Sequence, residues 1–171
     1  MALIIETGAG IAGADSYQTV AQLDAYALAF FGAALTGTDG EKEAALRRSA
    51  AFMNSLPFKA VRTKGRAQGL AWPRDGVTDD EGNEIEADKV PQEVKNAQLI
   101  FARAELQSPG ILTPTVVQNE GIKRERVGPI ETEFADTSKR VEAFRPIVTQ
   151  AMDIIEGLLQ RKGPSYFLER V

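Results

Sequence analysis

Leu3, Ile4 and Ile5 read as a short strand, and Gly8, Gly10 and Gly13 follow with the spacing G-x-G-x-x-G. Between a strand and a helix, that spacing makes a tight turn whose backbone N–H groups can face a pyrophosphate. Dinucleotide binding also needs a second parallel strand ending in an acid that binds ribose. The corresponding stretch here is ALAFFGAAL, which carries no acid, and no strand–helix alternation continues beyond it. The glycines are therefore expected to let a short N-terminal arm turn into the first helix.

Few other chemistries are open. Cysteine and histidine are both absent, which removes disulfides, thiolate nucleophiles, Ser-His-Asp and Cys-His catalysis and the commonest transition-metal ligands. Carboxylate or lysine chemistry, or oxygen-ligated Mg²⁺ or Ca²⁺, survives. The loop from Asp79 has Asn83 at its fifth position but Glu84 where an EF-hand needs glycine at the sixth, so it reads as a solvated acidic loop. No G-x-x-x-x-G-K-[ST] occurs, and nothing singles out one lysine or carboxylate as a base. No catalytic, metal or cofactor site is expected, and the chain is not expected to be an enzyme.

The strongest charge pattern lies at residues 57–90. Lys59, Arg62, Lys64, Arg66 and Arg74 come first; Asp75, Asp79, Asp80, Glu81, Glu84, Glu86 and Asp88 follow. Phe58 and Trp72 sit among the cations, a combination that could grip single-stranded nucleic acid. The acidic half and the formal net charge of -4 oppose that reading, and Trp72 fits a core or an intersubunit seam equally well.

The elements around this loop are mainly helical. At 171 residues, with 43% hydrophobic and 26% charged residues, the chain suits one soluble domain with a real core. No basic start leads into an apolar leader, and no apolar run is long enough to span a bilayer, so a cytosolic chain is expected. Val20, Leu23, Ala27 and Phe30 mark one helix face, with Asp15 and Gln18 as a capping box. Thr38 and Glu41 open a second helix facing inward through Ala45, Ser49, Phe52 and Leu56, ended by Pro57. A third starts at Pro91, with Val94, Ala97, Phe101 and Ala104 buried. Alternation on both sides of Gly128-Pro129 predicts a hairpin, which needs a helix or a neighbour to lean on. Ile147, Ala151, Ile154 and Leu158 beside Val148, Met152, Ile155 and Leu159 predict a wide, central last helix, opened near Pro146 and closed at Gly163-Pro164. The fold class is thus mainly α: about four helices over residues 1–171, with a long loop at 57–90, a β-hairpin at 116–135 and a C-terminal tail at 164–171. Tyr166, Phe167 and Leu168 in that tail could fold back on the bundle or anchor a partner.

Four segments in order, MALIIETGAGIAGADSY, LAWPRDGVTDDEGNEI with the following VPQEVKNAQ, KRERVGPIETEFAD and RPIVTQAMDII, resemble a family of tailed-bacteriophage proteins. Its members are often labelled DnaT-like single-stranded-DNA-binding proteins and are similar in fold and gene context to head-tail connector (adaptor) proteins. The resemblance spans almost the whole chain, and AWPR-x-G-V with the Pro91 helix is its specific part. It implies a structural adaptor, made in the host bacterial cytoplasm and residing in the virion neck. Copies would form a dodecameric ring between the portal protein and the tail stopper or tail completion protein. Genomic double-stranded DNA would pass through the lumen without sequence-specific recognition. In that setting Arg62, Arg66, Trp72, Arg74, Asp79 and Asp80 are expected at intersubunit contacts, because basic and acidic halves of successive loops can pair head to tail. Tyr166, Phe167 and Leu168 are expected on the portal. The alternative is a single-stranded-DNA-binding replication accessory.

Overall fold

The computed structural model describes residues 2–113, 124–127, 130–133 and 148–160. Four helices occur in it: α1 (Val20–Phe31), α2 (Asp39–Asn54), α3 (Gln92–Gln107) and α4 (Thr149–Ile155). They come with three two-stranded antiparallel ladders: β1 (Val61–Arg62) with β2 (Arg74–Asp75), β3 (Val77–Thr78) with β4 (Glu84–Ile85), and β5 (Arg124–Val127) with β6 (Ile130–Glu133). The architecture is mainly α, as the periodicity predicts.

Local signals account for much of this. Thr38 accepts from the Glu41 N–H while the Glu41 carboxylate accepts from Thr38, the reciprocal box that starts α2. At α1 the box is one turn later than expected, on Thr19 and Gln22. Asp15 instead accepts from the Ile4 N–H and pairs with Arg47, tying the N-terminal arm to itself and to α2. The expected hairpin pairs β5 with β6, Val127 opposite Ile130 and Arg124 opposite Glu133; the outer parts of the expected 116–135 span lie outside the described residues. So does the 164–171 tail with Tyr166, Phe167 and Leu168.

The central helix is α3, which packs against α2, α4 and α1. A single buried stripe was expected, yet Gln98, Leu99, Ile100, Ala102 and Glu105 are buried beside Val94, Ala97 and Phe101. Its alanines let neighbours approach, and its two buried polar side chains are satisfied, as burial requires. Gln98 donates to Ser16 Oγ (2.9 Å) and the Leu46 carbonyl (3.1 Å) and accepts from the Tyr17 N–H (3.0 Å), joining the arm, α2 and α3. Glu105 accepts from the N–H groups of Gly110 and Leu112 and pairs with Arg48, closing the turn after α3.

The last helix is shorter than expected. α4 stops at Ile155, a 3-10 turn covers Glu156–Leu158, and the chain then runs beside residues 57–60. There Leu159 bridges Phe58, the Gln160 N–H donates to the Pro57 carbonyl and the Lys59 N–H to the Leu158 carbonyl. Gly157 marks the break: a Cβ there would press on the Asp80 carboxylate at 2.8 Å. Ala151, Ile155 and Leu158 still point inward as the stripe predicts.

The 57–90 segment is not a plain loop. Its two ladders hold only two residues per strand, too few for alternation to show in sequence. Leu70, Ala71 and Trp72 in the connection from β1 to β2, and Val77 in β3, enter the main core with Tyr17, Phe58, Val94 and Phe101. Trp72 is 0% exposed and meets Phe58 edge to face at 5.9 Å; its bond to Pro73 is cis. The Tyr17 hydroxyl accepts from the Trp72 N–H, and burial raises the phenol far above its usual pKa, so it stays neutral.

Candidate functional site

The glycine-rich turn comes first. Glu6 is 1% exposed, and its carboxylate accepts from the N–H groups of Gly8 (2.8 Å), Gly10 (2.9 Å) and Ile11 (2.6 Å). A backbone nest of this kind suits an anion, and here the chain's own carboxylate fills it. Gly8 and Gly10 have positive φ (116° and 72°), and a Cβ on Gly8 would collide with the Asp88 carbonyl. Gly13 needs no glycine: its Cβ would meet only Ile4 Cδ1, at an ordinary 3.6 Å. Gly8 and Gly10 thus carry the arm-turning role expected of all three glycines, and Gly13 completes the spacing without needing to be glycine.

The charged loop is divided differently from its sequence. Arg74 forms no ion pair among the described residues. Its guanidinium donates to the carbonyls of Phe58, Lys59, Ala60 and Ala71 at 2.6–3.3 Å and lies 5.9 Å from the Phe58 ring centroid. Burial lowers its pKa, yet five donors in a rigid fork suit it to gathering carbonyls. Asp79 accepts from the N–H groups of Glu81 and Asn83 and from Asn83 Nδ2, bonds that hold its carboxyl below the usual range. The acidic loop thus spends Asp79 on its own turn. Asp80 pairs with Lys59 at 3.4 Å, joining basic and acidic halves within one chain.

Of the residues expected between subunits, Trp72 and Arg74 are therefore occupied inside their own protomer, and Trp72 has no surface to offer a neighbour. Phe58 is likewise 2% exposed, so neither ring of the basic stretch can stack on a base. Arg62 and Arg66 remain, together with Asp80, which is exposed and pairs with Lys59.

Cations sort into two groups. Lys42 pairs with Asp24, Arg47 with Asp15 and Glu43, Arg48 with Glu105, Lys59 with Asp80 and Lys89 with Glu86. Arg74, Lys95 and Arg103 form no ion pair among the described residues, and Arg62, Lys64 and Arg66 likewise pair with no carboxylate. The last three lie on β1 and the turn after it, where a 3-10 helix spans Gly65–Ala67, and Lys64 and Arg66 are exposed. Asp75, opposite Val61 in the ladder, is the nearest acid in register.

A second surface feature was not foreseen. Phe30, expected on the buried face of α1, is 55% exposed, and Leu28 is 61% exposed. Phe30 stacks on Tyr26 (5.1 Å between centroids, 9° between planes) and meets Phe31 edge to face at 5.4 Å. The Arg103 guanidinium lies 3.9 Å over the Phe31 ring. α1 ends one residue later at Gly32, in a left-handed conformation, so its last turn has no further helix to cover Phe30. Two aromatics four residues apart just before a C-terminal glycine were the sequence signal for a ring stack at a helix end.

An open groove of about 300 Å³ lies elsewhere, between the β3–β4 ladder, the start of α3 and α4. Asp79, Asp80, Glu93 and Asp153 line it, a charge that would repel phosphates.

A protein-family model described as "Putative DnaT-like ssDNA binding protein" matches residues 1–171. The chain belongs to that family. No curated protein and no solved structure matches it. Membership supports the DnaT-like half of the resemblance drawn from the four sequence segments; nothing in the comparisons bears on a portal, a tail protein or a ring. For a DnaT-like chain, the features to weigh are those that can meet an unpaired strand: the basic turn at residues 62–66 and the ring stack at the end of α1.

Proposed function

We propose that this chain binds single-stranded DNA as an accessory protein, without catalytic turnover. The observation that carries this reading is the basic turn: Arg62, Lys64 and Arg66, clustered on β1 and the turn after it, all stay free of carboxylates among the described residues, whereas most of the other described cations are paired. A strand's phosphates would supply the missing anions, and release of its counterions would drive binding. The overall charge of -4 makes this a local, salt-sensitive interaction. Family membership supports the same ligand.

The test is anisotropy of a fluorescein-labelled oligo-dT across a KCl series. Wild-type affinity should fall as salt rises. The triple variant R62Q/K64Q/R66Q should bind more weakly, with a log–log salt slope shallower by about 0.7 for each phosphate that is no longer neutralised. Absence of binding at low salt, or an unchanged slope in the triple variant, overturns the reading.

One observation favours the connector as a second reading. The β5–β6 ladder joins no other sheet among the described residues, and a lone hairpin is marginal in water, so a neighbouring copy or a portal would give it support. Incubation with the portal protein, followed by negative-stain imaging, should then show an added ring on the portal. Unchanged portal particles would exclude it.

A further inference from the structure

We infer that the end of α1 is a base-stacking platform, on which an unpaired nucleobase continues the Tyr26–Phe30 ring stack while Arg103 meets the adjoining phosphate. The inference rests on the proposed single-strand binding and names where bases, as distinct from phosphates, are held.

Three features carry it. The stack is already parallel on one side, since Tyr26 lies 9° from the Phe30 plane at 5.1 Å, and Phe30 keeps 55% of its surface in solvent. Any base has a π-face that can extend such a stack without sequence preference. Phe31, edge-on to Phe30, fixes the ring's orientation. Arg103 sits on Phe31 at 3.9 Å and forms no ion pair among the described residues. Arginine over an aromatic ring beside an open ring face is a combination that single-stranded nucleic acid uses well.

The competing occupant is a second copy of this chain, covering Leu28 and Phe30 as an apolar patch. Within its own chain Arg103 forms no ion pair among the described residues, so covering its guanidinium with an apolar patch alone would be costly. A strand brings its own anion. The charge therefore favours DNA.

The experiment compares two labelled oligomers of equal length, oligo-dT and its abasic counterpart, at low salt. Wild type should bind oligo-dT about tenfold more tightly, the range of one stacked base. Phe30→Ala should lose that preference while keeping its affinity for the abasic strand. Phe30→Leu, which keeps apolar bulk without a π-face, should behave the same way, and circular dichroism confirms that both variants are folded. Arg103→Gln should weaken both oligomers. Equal wild-type affinity for the two strands, or an unchanged preference in the folded Phe30 variants, overturns the platform while leaving phosphate binding in place. Binding of neither strand by wild type overturns both readings. A wild-type dimer in sedimentation that Phe30→Ala dissolves would assign the surface to a second copy instead.

Discussion

Glu6→Ala should destabilise the protein by about 3 kcal/mol, because it leaves inward-facing N–H groups without an acceptor. The Glu6 carboxylate holds Gly8, Gly10 and Ile11 at 2.6–2.9 Å. Around that nest the arm makes its other hydrogen bonds: the Glu6 N–H donates to the Ser16 carbonyl, and the Gly69 N–H donates to the Ile11 carbonyl. Removing the carboxylate therefore loosens the seam between the arm and residues 68–70, beyond the turn itself. Gly10 and Ile11 are only partly buried, so water can recover some of their bonding, which keeps the cost well below three full desolvation penalties. Glu6→Gln should fall between, since one amide oxygen can still accept while its NH₂ opposes a backbone donor. Urea midpoints measure all three proteins. Formate should partly restore Glu6→Ala by occupying the vacated nest, with stabilisation that rises with its concentration. A midpoint unchanged in Glu6→Ala would mean that the glycine turn is organised by something other than its carboxylate.

Glu6 also shows where sequence reading stops. The spacing of Gly8, Gly10 and Gly13 marks a turn, but which anion the turn holds depends on a side chain two residues upstream folding back, and no periodicity reports that. Elements set by neighbours a few residues apart were legible. The Thr38–Glu41 box, the Pro91 start and the pairing of β5 with β6 depend on residues close in the chain. Elements set by distant partners were not. α4 ends early where a 3-10 turn and then a strand-like return beside Pro57 and Phe58 take over from the helix. Gln98 and Glu105 look like surface residues on α3 until their partners on the arm, α2 and the following turn are known. Trp72 and Arg74 illustrate the same limit for the site. In a mixed-charge loop the sequence leaves Trp72 open to a core or an interface and places Arg74 at an interface, and only the packed structure shows the ring in the core and the guanidinium gathering four carbonyls. The reverse holds for Phe30. Its position on the apolar stripe of α1 is right, but the helix ends where no neighbour covers it, and an apparent core residue becomes a surface ring.

Acid should unfold the protein partly through Glu105. Burial pushes this carboxyl up, but the N–H groups of Gly110 and Leu112 and the Arg48 guanidinium outweigh it, so its folded pKa lies below the ordinary glutamate value. A group depressed on folding stabilises the native state in full above its unfolded pKa, about 4.3, and that contribution drains away as pH falls through the lower folded value. Stability should therefore decline below about pH 4.5 as the unfolded carboxyl takes up its proton first. Glu105→Gln removes the charge at every pH. At neutral pH it should cost about 3 kcal/mol, since an amide cannot satisfy two backbone donors and a guanidinium together. The Glu105 side chain is 1% exposed while Arg48 is 37% exposed, so the backbone bonds account for more of this than the half-solvated ion pair does. Urea midpoints of the two proteins, followed from pH 7 to pH 3, should converge on the acid side, with the variant's profile the flatter one. Parallel profiles across that window would show that the carboxylate's charge does not hold the turn after α3, and that its oxygens act only by shape.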